Sequence, residues 1–378
     1  MAKRENGEGS ISFDKSRNKY RAAIIDINGC RIYKRFNTRD EARNWINQTK
    51  IDMLTDQYVV PSNITLGEWI LEWIHTFKKN LKITTQYEYL YRCTYLKPIS
   101  NIELQKLTAI TIQKFLNALD TFSKQKKSYI LLNSAIKKAF LLRLIKYNFM
   151  TGVECPKSKT NKVIEIFTTE ELQQIFSYLK CDNTPKKFKK FYPFILLVAT
   201  TGIRIGEAFS LKWENVDFKE GTIKIVSNTK YVRNYGHIEN TPKTFASKRM
   251  ITLPLETLNV LNDYYVSTVK NIKFSKIIFL NPKHNYVFHT RNNTPYTKEN
   301  FIHQYWKPIV INAGVKYKNF HTLRHTHATQ LLAAGVPILE VTKRLGHSKG
   351  STTLNLYGHA IPNMDKNVAQ KISKIYAL

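Results

Sequence analysis

Two linker-like breaks decide how this chain of 378 residues can fold. The first is Val59-Val60-Pro61-Ser62-Asn63; the second, residues 152–163, contains Pro156 and is rich in lysine and threonine. Neither carries the apolar spacing of a core element, so both read as linkers. Three domains are therefore expected, at residues 1–57, 64–150 and 164–378. With 43% hydrophobic residues, the chain has the means to give them cores.

The three pieces differ in period. Residues 10–13, 20–27 and 31–36 are short β-prone runs, with Asn28-Gly29 supplying a tight turn. Thr38 and Glu41 then form a capping-box pattern ahead of a helix carrying Trp45, Ile46 and Leu54. Strand alternation sends Arg31, Tyr33 and Arg35 to one face, with Ile32 and Phe36 on the other. Such a polar sheet face suits a DNA groove, and its plainer reading is a solvated cap. Residues 64–150 are helical in pattern: Leu66, Ile70 and Ile74 share a face, Phe115, Leu116 and Leu119 mark a second segment, and residues 130–145 a third. Lys124, Lys126 and Lys127, with Lys137, Lys138 and Lys146, interleave with these stripes, giving a helical bundle with a basic face. In the third piece, Thr168 and Glu171 suit a helix start. Helices are expected to about Leu211, strands over 221–253, and helices thereafter. The fold class is multidomain α+β: a three-stranded sheet with one helix, a helical bundle, and a mainly helical domain with a small antiparallel sheet.

The formal charge of +31, from 59 Lys+Arg against 28 Asp+Glu, is shared by all three pieces. An excess of that size repels itself in a compact fold and points to a polyanionic partner; charge alone leaves DNA and RNA equal. Cys30, Cys93, Cys155 and Cys181 form no CxxC pair and read as reduced thiols. Met1-Ala2-Lys3-Arg4-Glu5 precedes no apolar segment, and no run approaches the ~20 apolar residues of a spanning helix. A cytoplasmic protein without a membrane partner is expected.

The residues suited to chemistry lie in the last domain. Thr201-Gly202-Ile203-Arg204-Ile205-Gly206-Glu207 follows an apolar run, and His321-Thr322-Leu323-Arg324-His325 is followed by Leu345-Gly346-His347 and Tyr357. A phosphodiester repels nucleophiles, and its transition state spreads charge over the non-bridging oxygens; forked guanidinium groups match that geometry at any workable pH. Arg204 and Arg324 are the candidates, Arg324 just inside a helix starting near Thr322. A phenol with a reference pKa of about 10 needs help to attack. Nearby cations would favour the phenolate of Tyr357, with His321 or His347 taking its proton. Lys243, in Thr241-Pro242-Lys243-Thr244, is the candidate acid for the leaving hydroxyl, ahead of Lys230 and Lys248. His325 is expected to turn away from His321 and to pack. HExxH and Walker-type loops are absent, so neither a metal nor a nucleotide cofactor is expected.

The order Arg204, Lys243, His321-x-x-Arg324, His347, Tyr357 resembles the tyrosine recombinases, or phage integrases. The motif spans residues 200–359 in the contexts TGIRIGE, TPKTFASKR, HTLRHTHAT, LGH and TTLNLYGH, and the three-part layout extends the likeness over nearly the whole chain. The resemblance implies metal-free strand exchange through a 3′-phosphotyrosyl bond at Tyr357 and a Holliday junction. Arg204 and Arg324 would clamp the phosphate, His347 would donate a hydrogen bond, His321 would assist proton transfer, and Lys243 would protonate the 5′-oxygen. Glu207 would buttress Arg204. It further implies double-stranded attachment sites, a tetramer on DNA, possible bending and directionality factors, and a C-terminal stretch with Val368, Ile372 and Ile375 that docks on a neighbour. Residues 1–57 look like the arm-binding domain of mobile-element integrases, and 64–150 like the SAM-like core-binding domain. Integration and excision of a prophage or integrative element is the function implied. The alternatives are an Xer-like resolving recombinase, a type IB topoisomerase or a non-catalytic DNA-binding regulator.

Overall fold

The computed structural model describes residues 9–55, 57–158, 165–240, 248–273, 285–347 and 350–357, with Ser373 and Tyr376. They fall into two compact units, Met1–Asn161 and Lys162–Leu378, the division lying in the second break.

In the first unit β1 (Ser10–Asp14), β2 (Lys19–Ile25) and β3 (Arg31–Phe36) form an antiparallel sheet in sequence order. Asn18 (φ 50°) and Gly29 (φ 77°) supply the left-handed residues of its two turns. The helix α1 (Arg39–Leu54) starts at the expected capping box, where the Glu41 N–H donates to Thr38 Oγ1 at 3.2 Å. Its Ala42 and Ile46 close on Ala22 and Ile24, forming a core of small side chains. Arg31, Tyr33 and Arg35 take the opposite face, where the Arg21 guanidinium lies 4.2 Å over the Tyr33 ring and Arg35 pairs with Asp14 at 3.4 Å.

The helices α2 (Leu66–Phe77), α3 (Ile83–Cys93), α4 (Ala109–Ala118) and α5 (Phe122–Leu141) build a separate core in the same unit. Leu66, Ile70 and Ile74 are all buried, as their spacing required, and Trp69 locks α2 to α5 by donating its indole N–H to the Ala135 carbonyl at 3.0 Å. The stripe expected over 130–145 is corrected. α5 begins at Phe122 and stops at Leu141, where Arg143 (φ 57°) ends the helical path; Ile130 is exposed and Ile145 is buried beyond the helix. Lys124 meets Asp120 at 2.9 Å, Lys127 meets Glu88 at 3.7 Å, and Lys126 reaches Cys155 Sγ at 2.7 Å.

The second unit opens with α6 (Thr169–Lys180), α7 (Lys186–Lys189), α8 (Tyr192–Thr201) and α9 (Ile205–Phe209). Next, β4 (Val216–Asp217), β5 (Thr222–Ile225) and β8 (Arg249–Thr252) make one antiparallel sheet, while β6 (Asn228–Val232) and β7 (Gly236–Asn240) fold back as a separate hairpin. That hairpin accounts for the length of the β-region. The rest comprises α10 (Leu255–Lys273), then α11 (Lys298–Phe301) and α12 (Lys307–Asn312) joined through the wider turn Ile302–Trp306. α13 (Thr322–Ala333), α14 (Ile338–Leu345) and α15 (Gly350–Tyr357) follow. The core is aromatic: Phe194 of α8 stacks on Phe209 at 4.5 Å and meets Phe288, Phe301 and Phe320 between 5.0 and 5.5 Å. Among the described residues no helix is long and apolar enough to cross a membrane.

Phe194 is the central contact of that cluster, so Phe194→Ala is expected to destabilise the protein by about 3–5 kcal/mol. Chemical denaturation, followed by tryptophan fluorescence, checks this; a loss under 1 kcal/mol would mean that the aromatic core re-forms without it.

Candidate active site

The site is assembled by two sharp helix ends. α8 stops at Gly202 (φ 65°) and α14 at Gly346 (φ 67°), both left-handed. A side chain at either place would be strained. A Cβ on Gly202 would come within 2.6 Å of the His327 ring and 2.8 Å of Leu345, and one on Gly346 within 2.8 Å of Arg249. These turns aim backbone carbonyls inward. Arg324, almost fully buried on α13, donates from Nη1 to the Gly202 carbonyl at 2.7 Å and from Nη2 to the Leu345 carbonyl at 2.8 Å.

Arg204 sits at the N-cap of α9, its guanidinium one third exposed. It donates from Nη1 to Glu207 Oε1 at 2.8 Å and from Nη2 to the Gly346 carbonyl at 3.5 Å, while its own backbone N–H meets Glu207 Oε2 at 2.9 Å. Glu207 is buried, and a second cation closes on it: Arg249 of β8 donates from Nη2 to Oε2 at 2.9 Å and from Nε to the Arg344 carbonyl at 2.6 Å. Burial alone would raise the Glu207 pKa. Arg249 and Arg204 overcome it and hold the carboxyl below its ordinary value.

Three histidines here are neutral bases. His321, at the N-cap of α13, is exposed to solvent. The protein packed behind it, then His325, Arg324 and Arg204, push its pKa down to about 4. Burial and the cations Arg324 and Arg204 bring His347 to about 4 as well, and its Nδ1 lies 2.9 Å from Thr353 Oγ1. His327 is buried and also falls to about 4, with Arg344 donating from Nε to its Nε2 at 3.2 Å. The expectation for His325 is corrected: residues four apart share a helix face, and its ring meets that of His321 edge-on at 4.8 Å.

Arg204, Arg324 and His347 thus converge on residues 345–347. His321 joins them electrostatically, since Arg204 and Arg324 both act on it. Tyr357 is the last residue of α15, but its side chain lies outside the described residues, as do Lys243 and the stretch with Val368, Ile372 and Ile375. Lys230 is exposed on β6 and Lys248 is exposed just before β8. Arg249, Arg344 and Thr353 were missed from the sequence; the only hint was the charge of Lys248-Arg249 at the start of an apolar strand. Among the described residues no cluster of three or more His, Cys, Asp or Glu is arranged to hold a metal ion.

Two guanidinium groups held on adjacent carbonyls, with neutral imidazoles beside them, are suited to phosphoryl transfer through fixed positive charge. The chain belongs to the Phage integrase family, which it matches over residues 165–364; residues 65–119 match the Phage integrase N-terminal SAM-like domain. It is accordingly a tyrosine recombinase of the phage or transposon integrase type, an enzyme of DNA strand transfer. It is 28% identical to a tyrosine recombinase XerC-like protein of Caldanaerobacter subterraneus subsp. tengcongensis, over 94% of this chain and 96% of that one. It is also 28% identical to the integrase of Staphylococcus phage L54a, over 82% and 92%. In fold it resembles the Tn1549 transposon integrase solved with a circular intermediate DNA (TM-score 0.70, 19% identity, 82% of this chain and 99% of that chain). A lambda integrase dimer bound to a core site is similar too, with TM-score 0.57 at 16% identity over 94% of this chain and 96% of that chain.

Two outcomes test this construction. Arg249→Met removes one of two cations from buried Glu207 and is expected to cost about 3–5 kcal/mol of stability; a thermal melt unchanged from wild type would show that Arg204 suffices. For His327, the folded pKa of about 4 lies below the ordinary 6.5, so the unfolded chain binds the proton first. Its stabilising contribution is full above pH 6.5 and is lost as pH falls towards 4. The fall in melting temperature across that window should be shallower in His327→Gln, and an identical slope would remove His327 as its source.

Proposed function

We propose that the enzyme integrates and excises a prophage or integrative mobile element. Tyr357 attacks the scissile phosphate, forming an Oη–P bond as the P–O5′ bond breaks; a 3′-phosphotyrosyl link and a free 5′-hydroxyl result. Arg204 and Arg324 bind the non-bridging oxygens, and His347 donates a further hydrogen bond to them. His321 takes the phenol proton, and Lys243 protonates the departing 5′-oxygen. The observation that carries this reading is the convergence of Arg204 and Arg324 on the Gly346 and Leu345 carbonyls, immediately before His347, with His321 and His347 neutral at pH 7. Attack by the 5′-hydroxyl of a partner duplex reverses the step and leads through a Holliday junction to recombinants.

The domain assignments belong to the same proposal: residues 1–57 bind arm sites, 64–150 bind the core site, and 164–378 carry the chemistry. Arg31, Tyr33 and Arg35, with Arg21 beside them, supply a cationic aromatic face for DNA. Lys124, Lys126 and Lys127 would exchange their internal partners for phosphates. Four protomers assemble on two attachment sites, as the lambda integrase tetramer does on a Holliday junction; bending and directionality factors complete the complex, in the cytoplasm of a bacterial host. The similarity to a XerC-like protein favours a second reading, resolution of chromosomes or plasmids.

Nicked duplexes from both ends of the encoding element, incubated with the protein in EDTA, should yield a covalent protein–DNA adduct on a denaturing gel. Tyr357→Phe should abolish it and leave binding intact; an adduct that persists in that variant would displace Tyr357 as nucleophile. Deleting residues 1–57 is expected to spare this cleavage and to impair full recombination. Intact recombination without them would remove the arm-binding assignment and favour the resolving recombinase.

A further inference from the structure

The mechanism needs His347 as a hydrogen-bond donor, yet a neutral imidazole donates from one nitrogen only. With its pKa at about 4 the ring is neutral at pH 7, so the position of its single proton decides whether it faces the phosphate as donor or acceptor. Two buried hydroxyls stand beside the ring and bear on that choice. Thr342 of α14 donates from Oγ1 to Thr353 Oγ1 at 2.9 Å. Thr353 is fully buried, and its Oγ1 lies 2.9 Å from Nδ1 of His347. A hydroxyl carries one proton. Thr353 accepts from Thr342 through one lone pair, which leaves its own proton available to Nδ1; donation there places the ring proton on Nε2.

Thr353 also lies on α15, four residues and one helical turn before Tyr357. We infer that Thr353 is a positioning residue: accepting from Thr342 and donating to Nδ1, it holds His347 as the Nε2–H tautomer and makes that state conditional on the seating of the helix that ends in Tyr357. The hydrogen bond joins the donor of the site to the element carrying the nucleophile. If α15 leaves its place, His347 loses the partner that orients it, and the site is switched off at the same moment as the nucleophile is withdrawn. This inference rests on the recombinase reading for the role of His347, whereas the tautomer itself does not depend on DNA.

Two arms therefore test it on the full-length protein. In the first, ¹⁵N-histidine labelling with long-range ¹H–¹⁵N correlation reads the His347 ring, assigned by its loss in His347→Ala. The wild type should show a protonated Nε2 and an accepting Nδ1, and Thr353→Val, which keeps the shape and drops the hydroxyl, should give a mixture. A wild-type ring protonated at Nδ1 would overturn the proposal, with or without activity. In the second arm, Thr353→Val should slow adduct formation on the nicked duplex about 10- to 100-fold at unchanged DNA binding. Thr353→Ser should restore most of the rate, and Thr353→Val should add nothing in a His347→Ala background. A Thr353→Val loss equally large in that background, or no rescue by serine, would reduce Thr353 to packing. No adduct from wild type would sink the recombinase reading of this site and leave the first arm to decide the tautomer.

Discussion

Everything in the catalytic unit depends on holding several guanidinium groups together before any phosphate arrives. Arg204, Arg249, Arg324 and Arg344 approach one short segment, and like charges at such range repel strongly where water is excluded. Glu207 answers part of this. One buried carboxylate receives Arg204 on one side and Arg249 on the other, and these cations hold its pKa below the ordinary carboxylate value. Backbone carbonyls answer the rest. Gly202 and Leu345 present theirs to Arg324, Thr200 and Thr252 theirs to Arg344. A carbonyl carries no charge that would repel an incoming phosphate. The choice of acceptor leaves the field of the site positive.

The same economy explains why four consecutive residues matter so much. The Arg344 carbonyl takes Arg249, the Leu345 carbonyl takes Arg324, the Gly346 carbonyl takes Arg204, and His347 meets Thr353. A helix end leaves its last carbonyls without intrahelical partners. Here the end of α14 offers that set to three arginines, and the left-handed Gly346 turns the chain so that His347 follows at once. Any shift of α14 therefore moves the partners of Arg204 and Arg324 together with the histidine beside them.

Much of this was legible in the sequence where the physics is local. Thr38 with Glu41 and Thr168 with Glu171 announced helix starts that the structure keeps, because a capping box is written in four adjacent residues. Leu66, Ile70 and Ile74 gave the buried face of α2 by spacing alone. The order of Arg204, His321, Arg324, His347 and Tyr357 resembled the tyrosine recombinases, and the chain belongs to the Phage integrase family. What stayed hidden is long-range. Arg249 and Glu207 lie 42 positions apart, and nothing in a strand start says which carboxylate it will meet. Leu345 and Gly346 contribute through their backbones, so their side chains carry no signal of the role. His325 was misread for a simpler reason: helix geometry places it on the face of His321, and its partner there is another ring. The β6–β7 hairpin was invisible as a separate element because two short strand runs look like one long one.

The fixed cations and the neutral histidines are one design. Burial and the nearby guanidiniums push His321 and His347 down to about 4, which makes a proton on either ring costly. The field also favours deprotonation of an acid that becomes an anion: a phenol brought among the same groups loses its proton more readily. Permanent charge thus does two things at once. It keeps the imidazoles free to accept or donate in neutral form, and it favours phenolate and phosphorane oxygens over their protonated states. A lysine in place of either arginine would weaken both effects, because an ammonium is a single point charge and cannot hold two carbonyls in a fork as Arg324 does. What the imidazoles lack is any internal rule for which nitrogen carries the proton. That rule has to come from a neighbour that is itself uncharged, since a carboxylate there would raise the histidine pKa and cancel part of the field. A buried hydroxyl such as that of Thr353 meets both requirements.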